Sequence, residues 1–81
     1  MKLASNANNW NMNKDYLLLF GKHLKSLRET KKLTQDDIGV NGVSRSMISL
    51  LETAATDVTI TKLKIIAENL GVKIKDLFDF E

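Results

Sequence analysis

The chain contains no cysteine and no proline, and its only histidine is His23. Without cysteine, neither a disulfide framework nor a thiolate metal site can form. A single histidine with no carboxylates clustered near it does not indicate a zinc site, so we expect no metal and no cofactor. We recognise no serine–histidine–aspartate set, no paired carboxylates and no glycine-rich phosphate loop. The sequence therefore does not indicate an enzyme.

Long hydrophobic runs are also missing. The apolar run from Leu17 to Phe20 is far too short to span a bilayer. The apolar stretch behind Lys2 is only Leu3-Ala4, which does not indicate a signal peptide. We expect a soluble, cytoplasmic protein that does not enter a membrane. At 81 residues the chain makes one small domain, for which association with a second copy would supplement a limited core.

Charge is unevenly distributed, although the formal net charge is only +2. Residues 1–52 have a balance of +3, whereas residues 53–81 have a balance of −1. The densest basic stretch, "KHLKSLRETKK", sets five cations against Glu29: Lys22, Lys25, Arg28, Lys31 and Lys32. Such a stretch is either an ordinary solvated helix face or a surface that faces phosphates.

Helical periodicity begins near Lys14. The preceding residues, 1–13, are rich in asparagine and lack periodicity, so we predict a flexible arm there and a single domain over 14–81. Apolar residues then recur at spacings of three and four, which predicts an amphipathic first helix ending near Thr30. Its apolar stripe consists of Leu17, Phe20, Leu24 and Leu27.

Capping residues divide the rest of the chain into four further short helices. Thr34, with Asp37 three residues later, predicts the start of a brief second helix. The "GVNG" segment at 39–42 predicts a tight turn, and Ser44 caps a third helix. Thr59 caps a fourth helix and Gly71 ends it. Its predicted buried side consists of Ile60, Leu63, Ile66, Ala67 and Leu70.

A last short helix is predicted from Ile74 to Phe78, so the fold class is all-α with five helices and no strands. Leu33 and Ile38 are expected to face inward from the second helix.

The third helix, "VSRSMISLLE" at 43–52, has two kinds of surface. Ile48 and Leu51 lie three residues apart and are expected to face the core. Arg45, Ser46 and Ser49 fall on the opposite flank, where they offer hydrogen-bonding groups. This arrangement is either a capped surface helix with incidental serines or a helix whose N-terminal end enters a DNA major groove.

Three segments in order resemble the helix-turn-helix regulators of the phage lambda-repressor/Cro type, the XRE-like family. They are "LKSLRETKK", "LTQDDIGVNGVSRSMISLLE" and "LKIIAENLGVKIKDLF". The resemblance covers roughly residues 20–78, and it makes the third helix, about 44–52, the recognition helix. It implies a compact lambda-repressor-like domain that binds double-stranded DNA and regulates transcription.

The resemblance also implies roles for individual residues. Arg45, Ser46 and Ser49 would read bases, and Ser44 would cap the recognition helix and touch the DNA backbone. Thr34 and Gln35, at the start of the second helix, would contact phosphates or a groove edge. The other backbone candidates are Arg28, Lys31 and Lys32. For Arg28 two alternatives stay open, because it would either approach a phosphate or pair with Glu52.

The chain departs from the family pattern at several positions. Only Val40 and Asn41 separate Gly39 from the turn glycine, where family members usually have three residues. Gly39 replaces a common alanine, and Lys32 replaces a common glycine. After Glu52 the family commonly has Asn-Gly and a basic residue, but this chain has Thr53, Ala54 and Ala55. Leu50, at a position that is often polar, either contacts a thymine methyl or packs.

One recognition helix reads too few base pairs to find a single site, so we expect a homodimer on a roughly palindromic operator. Apolar candidates for the dimer contact are Ile74, Leu77, Phe78 and Phe80, together with Tyr16, Leu18 and Leu19. We expect Phe80 in particular to lie beyond the core. No separate effector domain is expected, so occupancy would follow concentration. The alternative is an antitoxin-like module of the same fold that holds a toxin or another protein partner.

Overall fold

The computed structural model describes residues 13–80. This part of the chain contains four α-helices and one 3-10 helix, joined by short connections. The α-helices are α1 (Lys14–Thr30), α2 (Gln35–Ile38), α3 (Arg45–Glu52) and α4 (Ile60–Leu70), followed by the 3-10 helix Ile74–Phe78. The described residues contain no strand, which confirms the all-α prediction. The fifth predicted helix is present but has 3-10 geometry. The predicted arm lies outside the described residues, apart from Asn13, which caps α1.

Each α-helix begins at a side chain that accepts a hydrogen bond from the backbone N–H three residues later. The capping residues of α2, α3 and α4 are those predicted: Thr34, Ser44 and Thr59. Thr34 and Asp37 form a reciprocal capping box. The C-terminus of α4 is also as predicted, since Gly71 adopts a left-handed conformation there, with φ of 73°.

The core lies where α1 packs against α3 and the 3-10 helix, and α2 packs against α3 and α4. Its large, fully buried side chains are Leu24, Ile38, Ile48, Leu51, Ile66 and Leu77. Leu27 and Leu33 are partly buried against it. The prediction that Ile60 faces inward is wrong, because its side chain is 80% exposed. As the first residue of α4, it lies nearly one turn before Leu63, the first buried residue of that helix.

Gly21 allows α1 and α3 to meet backbone to backbone. A Cβ atom at this position would lie 2.5 Å from the carbonyl oxygen of Leu51 and 2.7 Å from that of Glu52. Because neither backbone atom can swing aside, only glycine fits at this crossing. The C-terminal end of α3 is therefore fixed against the middle of α1.

The C-terminal segment folds back onto the domain. Leu77 is completely buried, so its assignment to a dimer contact is wrong: its side chain fills the core. Ile74, Phe78 and Phe80 are partly buried and pack against the same core. The expectation that Phe80 lies beyond the core is also wrong, because its ring lies 5.4 Å from that of Tyr16. Aromatic pairs at such distances stabilise the contact between α1 and the chain end.

Among residues 13–80, three residues other than glycine have left-handed backbone conformations: Lys32, Asn41 and Ala54, with φ of 59–60°. Asn41 and Gly42 form the turn predicted for "GVNG", whereas Gly39 has φ of −87°. Lys32 and Ala54 lie in the two segments where the family commonly has glycine. Their β-carbons make these conformations unfavourable, so both positions carry backbone strain.

In the described part of the chain, no helix is both long and apolar enough to cross a membrane.

Candidate nucleic-acid interface

The two sides of α3 differ as the sequence predicted. Ile48 and Leu51 are buried, with 0% and 1% of their surface exposed. On the other side Arg45 and Ser46 are exposed, and Ser49 is partly buried. The outer face of the helix is therefore uncovered by any described part of the chain, and it carries hydrogen-bonding groups.

The N-terminal end of α3 is the most accessible part of this face. The hydroxyl of Ser44 accepts a hydrogen bond from the backbone N–H of Met47 at 3.0 Å, so the capping group is engaged within the helix. Arg45 and Ser46 occupy the first turn, and Leu50 lies further along with 46% of its surface exposed. The structure thus answers one open question about Leu50, because it does not pack into the core.

Gly39 brings the end of α2 against the start of α3. A Cβ atom at Gly39 would lie 2.6 Å from the backbone nitrogen of Arg45 and 2.8 Å from its Cα. An alanine, which is common at this position in the family, would therefore not fit this shorter connection without a shift. The close contact fixes where the first turn of α3 projects.

Arg45 faces a carboxylate on α2. Its Nε atom lies 3.6 Å from Oδ1 of Asp36, and the two side chains are 65% and 77% exposed. Ion pairs in such exposed positions contribute little to folding, because water and salt screen them. The guanidinium group is therefore available to a ligand.

Arg28 belongs to the interior instead. Its Nε and Nη2 atoms donate to the two carboxylate oxygens of Glu52 at 2.7 and 3.0 Å, and Nη1 donates to the carbonyl oxygen of Leu33 at 2.8 Å. Hydrogen bonding to Glu52 raises the pKa of Arg28 above its usual value. Of the two alternatives left open by the sequence, the structure has the pair with Glu52. That pairing corrects the assignment of Arg28 to the DNA backbone, because all three nitrogens are used within the domain.

Gln35 joins the same buried network, since its amide nitrogen donates to Oε1 of Glu52 at 3.0 Å. The hydroxyl of Thr34 accepts from the backbone N–H of Asp37 at 3.1 Å. Both residues thus have intramolecular roles at the start of α2. Their contacts with DNA stay predictions.

The capping box also sets the charge of Asp37. Its Oδ2 atom accepts from the backbone N–H of Thr34 at 2.7 Å. This hydrogen bond favours the ionised carboxylate and lowers the pKa of Asp37 below its usual value. A fixed negative charge therefore stabilises the positive N-terminal end of α2.

Lys31 and Lys32 are exposed in the connection between α1 and α2. Lys32 lines an open cleft of about 680 Å³ that runs from this connection to the start of α3. The cleft is lined by Arg28, Glu29, Lys32, Leu33, Thr34, Gln35, Asp36 and Arg45. The structure therefore brings Lys32, Thr34, Gln35 and Arg45 to one surface. Ser46 and Ser49 lie on the adjoining helix face.

Sequence reasoning missed two residues of α4 that hold the turn before α3. The side-chain nitrogen of Asn69 donates to the carbonyl oxygens of Ile38 at 2.9 Å and Val40 at 3.0 Å. Its oxygen accepts from the side chain of Asn41 at 2.9 Å. The ammonium of Lys62 donates to the carbonyl oxygen of Gly42 at 2.6 Å. An asparagine inside a helix was an available signal, because its poor helix propensity suggests a role for the side chain.

Comparison with known proteins agrees with this geometry. The family model described as helix-turn-helix matches residues 24–77, which is more than half of the chain. None of the curated proteins searched matches the sequence.

Two solved structures are similar to the chain along most of its length. One is the restriction-modification controller protein C.AhdI from Aeromonas hydrophila, with 28% identity and a TM-score of 0.73; the match covers 76% of this chain and 96% of that one. The other is the clp gene regulator ClgR from C. glutamicum, with 25% identity and a TM-score of 0.72; the match covers 79% of this chain and 84% of that one.

The family match spans α1 from Leu24 onward, the α2–turn–α3 unit with its uncovered outer face, and α4 with most of the 3-10 helix. The chain therefore belongs to the XRE-like helix-turn-helix family of DNA-binding transcriptional regulators.

Proposed function

We propose that the protein is a sequence-specific regulator that binds double-stranded DNA as a homodimer, with α3 in the major groove of each half-site. One observation carries the proposal. The first turn of α3 is uncovered, and the Arg45 side chain at its start is 65% exposed. An arginine in this position can donate two parallel hydrogen bonds to O6 and N7 of guanine.

Neighbouring residues supply the rest of the surface. Ser46 and Ser49 can donate to or accept from base edges, and exposed Leu50 can contact a thymine methyl group. Lys31 and Lys32 attract the phosphate backbone beside the groove, and Thr34 and Gln35 line the same cleft as Lys32.

A dimer is proposed because one short recognition helix reads only a few base pairs. Two copies related by a two-fold axis would place their α3 helices about 34 Å apart on one face of the duplex. With Leu77 in the core, the apolar candidates that stay exposed include Leu18 and Leu19 on α1, at 43% and 52%. About half of each side chain is left uncovered, and a second copy packed on α1 would cover it.

Selection of bound fragments from random duplex DNA tests the proposal. We expect a consensus with two-fold symmetry, and analytical ultracentrifugation should give two chains per duplex. A consensus without symmetry, bound by one chain, would refute the dimer but leave DNA reading intact. Failure to enrich any sequence would refute sequence-specific binding.

Substitution of Arg45 tests the direct reading. Arg45→Ala should weaken binding to the selected operator by about 1–3 kcal/mol and weaken binding to random DNA much less. Equal losses on both duplexes would make Arg45 a phosphate contact. Binding of the wild-type protein should also weaken steeply with salt, because phosphate contacts release counterions.

The exposed leucines of α1 also suit the alternative of an antitoxin-like module that holds another protein. The two functions differ in what the protein alone can do. Tight, sequence-specific operator binding by the purified chain, with no further protein present, counts against the alternative.

A further inference from the structure

Asp36 places a negative charge at the surface proposed to meet DNA. Three ion pairs occur among residues 13–80. Arg28–Glu52 is buried, and Lys64–Glu68 lies within one helix. The third, Asp36–Arg45, joins the start of α2 to the start of α3 across the turn. It is thus the pair that links the two helices at their exposed ends.

A carboxylate at this location opposes binding to any DNA. Phosphates supply most of the sequence-independent attraction between a protein and a duplex. Asp36 is 77% exposed and lines the same cleft as Lys32, so it would approach the backbone together with the cations. Its charge repels phosphates unless Arg45 stays close enough to offset it.

The geometry of the pair leaves the end of the arginine available. Asp36 lies nearest to Nε of Arg45, and no hydrogen bond occupies the terminal nitrogens within the described structure. A guanine in the groove can therefore bind Arg45 while Asp36 stays paired.

On a non-cognate duplex the outcome differs. Where no guanine lies opposite, Arg45 gains most by turning toward a phosphate. That movement separates it from Asp36 and leaves the carboxylate unpaired beside the polyanion. The cost of an unpaired Asp36 therefore falls mainly on complexes in which Arg45 does not read a base.

We propose that Asp36 is a specificity-determining residue, which acts by penalising complexes in which Arg45 turns away from it to the DNA backbone. The proposal rests on the proposed function. It adds a contribution that disfavours non-cognate complexes to the contacts that favour the cognate one. The acid acts through Arg45 and does not itself need to touch DNA.

Asp36→Asn tests this role because asparagine keeps the shape of the side chain and removes the charge. Affinities would be measured for the operator selected by the wild-type protein and for a scrambled duplex of the same length and composition. We expect the variant to bind the scrambled duplex about threefold more tightly and the operator with little change. The ratio of the two affinities should therefore fall.

A second variant separates this role from simple charge repulsion. If Asp36 acts through Arg45, Asp36→Asn should leave the affinity ratio unchanged in the Arg45→Ala background. If the carboxylate only repels phosphates, Asp36→Asn should tighten binding to both duplexes equally, with Arg45 present or replaced by alanine. That result would overturn the proposal, and so would an unchanged ratio in the single variant.

Asp15→Asn is the matched control. It removes the same charge from the first turn of α1, at the far end of that helix from the α1–α2 connection. It should change both affinities equally and leave their ratio unchanged. Thermal unfolding would verify that each variant is folded. A wild-type protein that enriches no operator would refute the proposed function itself, whereas an enriched operator with no response to Asp36→Asn would refute this inference alone.

Discussion

Arg28 and Arg45 each face a carboxylate, but the two pairs lie in opposite surroundings. The side chains of Arg28 and Glu52 are 10% and 3% exposed, and their closest nitrogen and oxygen atoms are 2.7 Å apart. Those of Arg45 and Asp36 are 65% and 77% exposed and 3.6 Å apart. The first pair has two parallel hydrogen bonds, whereas the second has only a loose ionic contact.

The difference in burial separates residues that hold the helices in place from residues that are available to contact DNA. Two buried charges stay paired, because a buried charge that loses its partner cannot be solvated by water. Two exposed charges exchange partners at little cost, since water and ions already screen them. Arg28 and Glu52 therefore fix α1 to the end of α3, while Arg45 at the other end is free to take a base.

Removing one partner from each pair should give the largest difference in the free energy of unfolding. Glu52→Ala leaves the Arg28 guanidinium buried without its carboxylate, and Gln35 loses its acceptor. We expect a loss of about 3–5 kcal/mol in the free energy of unfolding. Asp36→Ala, the matched change in the exposed pair, should cost no more than about 1 kcal/mol. Urea denaturation followed by circular dichroism measures both.

Similar losses of unfolding free energy for Glu52→Ala and Asp36→Ala would contradict the distinction between a structural buried pair and a weak exposed one. The double variant Arg28→Met with Glu52→Leu refines it, because replacing both charges with apolar groups should recover much of the stability lost in Glu52→Ala.

The backbone contact between α1 and α3 gives the next largest effect. In Gly21→Ala the new methyl group meets the carbonyl oxygens of Leu51 and Glu52, so the helices must separate. We expect a loss of about 1–3 kcal/mol and a weaker Arg28–Glu52 pair. Ser26→Ala, an exposed change on the same helix, should stay within about 0.5 kcal/mol. A Gly21→Ala variant as stable as the wild type would contradict the close approach.

Asn69 tests how the exposed end of α3 is held. Asn69→Ala leaves the carbonyl oxygens of Ile38 and Val40 without their shared donor. We expect a loss of about 1–2 kcal/mol in stability and weaker operator binding, because the turn before Arg45 is less well fixed. Asn69→Asp restores the acceptor for Asn41 but not the donor, so it should behave like alanine. Wild-type operator affinity in both variants would show that the turn does not depend on Asn69.

Asp37 should give the smallest effect, visible only in acid. Its pKa is lowered in the folded protein, so the charged form stabilises the fold. This contribution is fully present above about pH 4, the pKa of an unfolded aspartate, and is lost as the pH falls through the lower folded value. The stability difference between wild type and Asp37→Asn should therefore shrink between pH 5 and pH 2. A difference independent of pH would mean that the capping box works without the charge.

Helix boundaries were predictable because caps act locally. Thr34, Ser44 and Thr59 each accept a hydrogen bond from a backbone N–H three residues away. Gly71 ends its own helix by adopting the left-handed conformation. The outer and inner faces of α3 followed from helical spacing for the same reason. These features need no knowledge of the rest of the fold.

Contacts distant in sequence were not predictable from the pattern. Asn69 reaches a turn about thirty residues away, and Phe80 packs on Tyr16 at the other end of the domain. Ile60 fits the apolar spacing of α4, but it precedes Leu63, the first buried residue of that helix, and its side chain is exposed. The Asp36–Arg45 pair depends on how closely α2 and α3 approach at Gly39, which periodicity does not report.

The left-handed conformations of Lys32 and Ala54 have a consequence for the lifetime of the protein. Each costs about 1–2 kcal/mol relative to glycine, a sizeable share of the margin of about 5–15 kcal/mol that holds a small domain together. A thinner margin raises the fraction of molecules that are transiently open to proteases. DNA that binds only the folded form would add to that margin, so we expect the operator binding proposed above to slow proteolysis of bound molecules relative to unbound ones.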